Sequence, residues 1–330
     1  MVPIPPVCRA SHRSNVVAVY RVVMKIVSLS PSLTDILFAL HDGHKVVGVT
    51  HLCKVPSGDC KPAIVTTANP IAQNTEFQRK LVAGLSEIPV DLEALQKASP
   101  SSILTSLVGE KPQEFTTFAE DFFDRNWSKK ISIRSLDILT LDGLFAAYAE
   151  VGGLLGNRGI GRDRAQRMKS QLLDWGRNLY ERLRNKKVVV LTGVEPLEVA
   201  GCWVPDIIRL VSGRPFKPDL RRLTAPTTWE EIQEFAPDVI VVAPRGKTLD
   251  ESVKYLRKLE ALPDWDFLPA VKRGEVVFSD GIRLYQTGPA ILDGAGILVS
   301  AIAGLDSGYI TKRDEFHRLR FVELHRHRFM

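Results

Sequence analysis

The sequence predicts an α/β protein of two like-built lobes joined by one long helix. Three observations carry that prediction: β-branched runs alternate with helical patterns along the chain, one helix-turn-strand unit occurs twice, and a long amphipathic stripe separates the copies. Alternation of this kind implies parallel sheets covered by helices, because parallel strands need crossover connections and the crossover is usually a helix.

The fold is expected to begin at Met24. Residues 1–23 hold basic residues and no acidic one, but the apolar run VVAVY stops at Arg21 and no small-residue cleavage site follows, so this is a poor secretion signal. The arm reads as a targeting piece, an artefact of start-site choice or a disordered segment. The cytoplasm is therefore the favoured compartment; the periplasm or cell surface is expected if the arm is a targeting segment.

From Met24, KIVSLSPSLTDILFAL reads as a strand, a Ser-Pro turn and a helix, and KVVGVT as a second strand. In DLEALQKASPSSILTS, Asp91 suits a helix N-cap, Pro100 ends the helix and SILTS continues as a strand. The helical pattern PQEFTTFAEDFFDRNW and the strand ISIRSL complete an N-terminal lobe over 24–140.

Residues 141–185 read as a helical linker. The apolar helix LDGLFAAYAEVGGLLG breaks at NRG, after which Ala165, Met168, Leu172, Trp175, Leu179 and Leu183 recur at steps of three and four. A rod of roughly 25 residues at about 1.5 Å per residue is about 37 Å long, enough to span two lobes.

The C-terminal lobe, 186–305, runs through strand KKVVVLTG, helix VPDIIRLVSG, the second copy TWEEIQEFAPDVIVVA, a helix over 249–260, strand EVVFSD and the helix GPAILDGAGILVSAIAG. Residues 306–330 are basic and lack an end signal. They read as a solvated tail with room for a short helix.

With 330 residues, 45% hydrophobic and 25% charged, the chain is ordinary for a globular protein. No run approaches the roughly 20 apolar residues of a membrane span. The net charge of +6 is modest, and no Lys/Arg stripe is interleaved with aromatics, so nucleic acid is not an expected partner. Cys8, Cys53, Cys60 and Cys202 form no CxxC pair and read as free thiols. A monomer is expected.

In the duplicated unit a cap residue, Asp91 or Thr228, places Glu93 or Glu230 in the first turn, and Thr228 with Glu231 has capping-box spacing. Each carboxylate complements its helix dipole, which alone accounts for one glutamate. Equivalent positions in two lobes further suit a two-point contact with a partner.

Together, KIVSLSPSLTDILFALHDGHKVVGVT, the two copies and LPAVKRGEVVFSDGIRLYQTGPAILDG resemble the helical-backbone substrate-binding proteins of ABC importers, the group with the vitamin B12 and siderophore binders. The resemblance covers about 24–305. It implies two Rossmann-like α/β lobes on a backbone helix, the class III periplasmic-binding-protein fold, with a ligand held between them. It also implies that Glu93 and Glu230 meet basic residues of a permease. The cleft wall it implies comprises Ser30, Pro31 and Ser32, the loop THLCKVP, and SDGIRLYQ with Asp280, Arg283 and Tyr285.

The branch labelled cobalamin-binding, which tends to lack export signals, is closer. That likeness rests on GVTHLCKVP with His51 and Cys53, and on VEPLEVAGCWVP with Glu195, Pro196, Gly201, Cys202 and Trp203. The chain departs from the branch at Leu52, where an acidic residue is usual, and at Lys54 and Val55, where Asp-Tyr stands. It departs again in LTSLVGEKP, which lacks a cysteine.

The ligand this implies is cobalamin or another metal chelate, with no catalytic cofactor. His51, Cys53 and Cys202 offer imidazole and thiolate to a metal or corrinoid cobalt, although His-x-Cys is equally the pattern of packed, inert side chains. Trp203 suits stacking on a flat ligand or packing beside Val204 and Pro205. Tyr285 and Arg283 suit contact with an amide or carboxylate, or an ordinary exposed loop; Asp280 in SDG suits a turn.

VVAPRGKTLD lacks the first glycine of a phosphate-binding loop, since position 241 is Val, and Pro244 removes an amide donor. No nucleophile elbow, HExxH or fixed carboxylate pair is present. The function that the resemblance implies is binding and delivery to a transporter. Two alternatives stand beside it: a cytosolic corrinoid carrier, sensor or salvage factor without a permease, and an enzyme using a cysteine thiol.

Overall fold

The computed structural model describes residues 24–58, 60–67, 89–106, 112–218, 222–286, 288–305 and 316–318. The arm 1–23 and most of the tail, with His325 and His327, lie outside the described residues.

Two separate sheets form. The first contains β1 (Ile26–Ser28), β2 (Val46–Val49), β3 (Ala63–Ile64), β4 (Ser102–Thr105) and β5 (Ser132–Ser135) in the order β3-β2-β1-β4-β5. Every neighbouring pair is parallel. Its crossovers include α1 (Pro31–Ala39), α2 (Leu92–Ala98) and α3 (Pro112–Trp127). The second sheet contains β6 (Lys187–Val194), β7 (Leu197–Ala200), β8 (Arg214–Pro215), β9 (Thr224–Pro226), β10 (Val239–Val242), β11 (Val276–Ser279) and β12 (Phe316–Arg318). Its order is β12-β11-β10-β6-β7-β9, with β8 also on β6.

The second lobe is not a plain copy of the first. β6, β10 and β11 run parallel, but β7 turns back antiparallel on β6 and β9 pairs antiparallel with β7. The sequence shows why: VVVLTGV and LEVA are β-prone runs separated only by Glu195 and Pro196, which is hairpin spacing. The tail also departs from expectation. Phe316–Arg318 lies antiparallel along β11, covering a sheet edge, where a solvated segment or short helix was expected.

Between the sheets run α4 (Leu141–Leu154) and the long α5 (Arg158–Asn178), whose 21 residues give a rod of about 31 Å. The rod is shorter than expected because helical pairing breaks at Leu179, before a one-turn helix Tyr180–Leu183. The stripe points inward: Ala165, Met168, Leu172 and Leu183 are buried, and Trp175 and Leu179 pack against them. α4 and α5 cross closely at Gly161, where a Cβ would stand 2.0 Å from the Tyr148 carbonyl oxygen.

One apolar core runs through both lobes. It joins Ile26 and Leu104 of the first sheet to Leu144, Tyr148 and Val151 of α4, Met168 and Leu172 of α5, and Val188 and Val241 of the second sheet. α6 (Trp203–Leu210) belongs to that core. The outer faces carry separate clusters: Val27 and Ile103 with Phe123 of α3, and Ile240, Phe278, Trp229 and Trp265 on the other lobe. There α7 (Trp229–Phe235) follows β9, and the helix expected over 249–260 divides into α8 (Leu249–Val253) and α9 (Leu256–Glu260). The last helices are α10 (Gly281–Leu284) and the almost wholly buried α11 (Ile291–Ala303). No described helix is long and apolar enough to cross a membrane.

The candidate ligand groove between the lobes

A groove of about 560 Å3 opens where α1 and the loop after β2 face the turn between α10 and α11. One wall is Pro31, Asp35, Phe38 and Ala39, spaced at four and three so that they share one face of α1. Leu52, Lys54 and Pro56 continue it from the loop. The other lobe supplies Tyr285, Gln286, Pro289 and Ala290. Mostly apolar walls with a few polar groups are the usual make-up of small-molecule sites.

The lobes meet beside this groove. Gly288 has φ +65°, and a Cβ on it would stand 2.6 Å from Asp35 Cβ, so only glycine permits this approach. Burial raises the Asp35 carboxyl to about 6, with Lys54 pulling it the other way. The Tyr285 hydroxyl is buried without a partner, and burial pushes its phenol well above its usual range, opposed by Arg245.

Of the wall expected from sequence, Pro31, Leu52, Lys54 and Pro56 of the loop THLCKVP, and Tyr285 and Gln286 of SDGIRLYQ line the groove. Ser30 and Ser32 are buried at the start of α1, where the Ser30 carbonyl accepts the Thr34 amide at 3.0 Å and the Ser28 hydroxyl at 3.1 Å. Asp280 caps α10, accepting the Ile282 and Arg283 amides at 2.8 and 3.0 Å. Arg283 is exposed, with its Nε 3.9 Å from Asp280.

The metal candidates are not brought together. Among the described residues no group of three His, Cys, Asp or Glu side chains is arranged to hold a metal. Cys53 turns inward, its sulfur 3.1 Å from both the Thr34 and Thr50 hydroxyls. His51 is exposed with Nδ1 on the Thr66 hydroxyl at 2.9 Å. Cys202 is buried in the other lobe, and burial pushes its thiol up to about 12 against the nearby Arg245.

Trp203 is buried in the shared core, with its indole N–H unpartnered, so it offers no face to a flat ligand. Both misplacements have one cause. β7 is antiparallel, with Val199 paired to Leu191, so Cys202 and Trp203 follow a strand that turns back from the crevice end of β6. Glu195 sits in the β6–β7 turn, where the Lys258 ammonium pairs with its carboxylate.

Glu93 and Glu230 occupy the first turns of α2 and α7 and are exposed. Asp91 accepts the Glu93 and Ala94 amides at 3.0 Å, and Thr228 with Glu231 completes a capping box. Glu93 also pairs with Lys97 at 2.9 Å.

Sequence reasoning did not single out Asp35, Gln286 or Arg245. The four-residue step from Pro31 to Asp35 was the available signal for the first. Gln286 lay inside the stretch SDGIRLYQ that the resemblance implied as cleft wall, and Arg245, which acts on Tyr285 and Cys202 within its own lobe, carried no signal.

A family model described as periplasmic binding protein matches residues 26–281. A comparison with curated proteins finds no match. Among solved structures, an ABC transporter substrate-binding protein of Listeria monocytogenes is 16% identical with a TM-score of 0.62, over 84% of this chain and 98% of that one. A periplasmic haem-binding protein of Pseudomonas aeruginosa is 18% identical with a TM-score of 0.61, over 90% and 98%. The periplasmic vitamin B12-binding protein of Vibrio cholerae is 18% identical with a TM-score of 0.59, over 84% and 96%. At such identities these likenesses speak for the fold.

Proposed function

The chain belongs to the periplasmic binding protein family, and from that premise we propose that it binds a metal chelate of the corrinoid kind between its lobes and presents it to an ABC-type permease. The observation that carries this reading is the groove of about 560 Å3 whose walls come from both lobes. Its apolar surface suits one face of a macrocycle. The absence of a three-ligand cluster among the described residues favours a chelate over a bare ion.

Relatives in fold are described as binding haem or vitamin B12, which sets the two ligands to try first. Exposed Glu93 and Glu230, each at the start of a helix in its own lobe, supply the two points of permease contact. The buried, protonated Cys202 thiol argues against a thiol-dependent reaction.

Titrating the protein with cyanocobalamin and with haem, followed by visible spectra and thermal unfolding, tests the ligand. A bound ligand at 100 times its Kd adds about 2.7 kcal/mol of stability. No spectral change and no stabilisation with either compound would remove the chelate reading.

A further inference from the structure

Asp35, Lys54, Gln286 and Tyr285 stand in one groove. Among the described residues the side chains of Asp35, Lys54 and Gln286 make no hydrogen bond, whereas the Tyr285 ring lines the groove with its hydroxyl turned into the core. Burial has already removed much of the water around Asp35. Such groups keep their hydrogen-bonding capacity for whatever fills the groove, since a buried polar group left unmatched is costly.

Their signs are informative. Asp35 accepts, Lys54 donates, and Gln286 can do either. One carboxylate and one ammonium balance, so the groove asks for a neutral edge. A ligand carboxylate placed against Asp35 would meet like charge in partly dry surroundings. A primary carboxamide instead gives N–H to Asp35 and its carbonyl to Lys54 or Gln286.

Resting on the chelate reading above, we propose that Asp35 is the specificity-determining residue of the groove, selecting with Lys54 a macrocycle edged by carboxamides over one edged by carboxylates. Titratable groups acting on Asp35 are Lys54 from the loop after β2 and the Tyr148 phenol from α4, which is also influenced by Arg164. Burial holds the Asp35 carboxyl near 6, so its charge changes between pH 7.5 and 5.

The test uses the full chain and a matched ligand pair: cyanocobalamin, and the acid made from it by hydrolysing one peripheral carboxamide. Calorimetry at pH 7.5 is expected to show the amide form bound about tenfold more tightly. Asp35→Asn should weaken the amide form by about threefold and strengthen the acid form, so that selectivity falls to about twofold or less. In the wild type, lowering the pH to 5.5 should erode selectivity, and Asp35→Asn should lose that response. Equal binding of the pair by the wild type, or unchanged selectivity in Asp35→Asn, overturns the assignment while leaving the chelate reading in place. Tighter binding of haem than of cyanocobalamin at pH 7.5 overturns it too. Binding of none of the three ligands by the wild type overturns the chelate reading, and this assignment with it.

Discussion

Replacing Gly161 by alanine should break the rod that joins the lobes, and replacing Gly159 should not. The added Cβ at position 161 would stand 2.0 Å from the Tyr148 carbonyl oxygen, 2.8 Å from its carbon and 3.2 Å from Ala149 Cα. Every obstacle is backbone, so no side chain can swing aside. α4 and α5 would have to separate by more than 1 Å, loosening the packing of Tyr148 and Val151 against Ala165 and Met168. Overpacking typically costs 1–3 kcal/mol, and this geometry belongs at the upper end, about 3 kcal/mol. Position 159 has nothing within 4 Å, and its φ is ordinary for a helix. Alanine there restricts the unfolded chain and should stabilise by about 0.5 kcal/mol. In urea, with a slope of about 3 kcal/mol per molar, the midpoints should differ by about 1 M. Gly161→Ala unfolding within about 0.5 kcal/mol of wild type would refute the tight crossing, and with it the argument for a stiff strut.

Three further outcomes follow from the site. Asp35 has its carboxyl raised from 3.8 to about 6, so the stability tied to its neutral form is complete below about pH 4 and lost as pH rises through 6. A shift of that size corresponds to about 3 kcal/mol in dry surroundings, and water in the groove reduces this to about 1 kcal/mol; Asp35→Asn should therefore melt higher at pH 7.5 and equal wild type near pH 4, and equal melting at both values would dispute the burial. Cys202 should resist iodoacetamide at pH 8 until the protein unfolds, because its thiol is held near 12; rapid labelling of native protein would revive the thiol-enzyme alternative. Glu93→Arg with Glu230→Arg should cost less than about 1 kcal/mol at each helix start and leave ligand affinity unchanged, yet abolish capture of the permease from source membranes; undiminished capture would dismiss the docking role.

What the sequence makes legible is what is local. The caps at Asp91 and Thr228 and the stripe from Ala165 to Leu183 follow from short-range spacing, and the structure places them accordingly. Strand direction is not local. LEVA has the composition of a strand in either sense, and taking the second lobe as a repeat of the first put Cys202 and Trp203 at the crevice when antiparallel pairing buries them. The tail strand was missed for a related reason: three residues of β12 gain their conformation only by pairing with β11. The groove residues fall between these cases. Pro31 and Tyr285 were reached through the family resemblance, whereas Asp35 was within reach of helical periodicity, and what makes it chemically unusual, the closeness of Gly288 from the other lobe, is written nowhere near it in the chain.

The continuity of the core bears on how a filled groove could be signalled to a partner. Hinge closure around a ligand requires two bodies whose apolar interiors are separate, so that rotation exposes little surface. Here Leu144, Tyr148, Met168 and Leu172 belong to the same cluster as Ile26 on one side and Val188 on the other. Rotating the lobes apart would open that cluster, at about 25 cal/mol for each Å2 of apolar surface uncovered. The lobes are thereby held near one relative position, and so are Glu93 and Glu230. A partner that touches only those two glutamates meets nearly the same spacing whether the groove is empty or full. Discrimination must then come from the groove mouth, where Leu52 is largely exposed beside Lys54 and would be covered by a bound macrocycle. Any permease that distinguishes loaded from empty protein should therefore lose that distinction when Leu52 is replaced by serine, while still recognising both lobes through their glutamates.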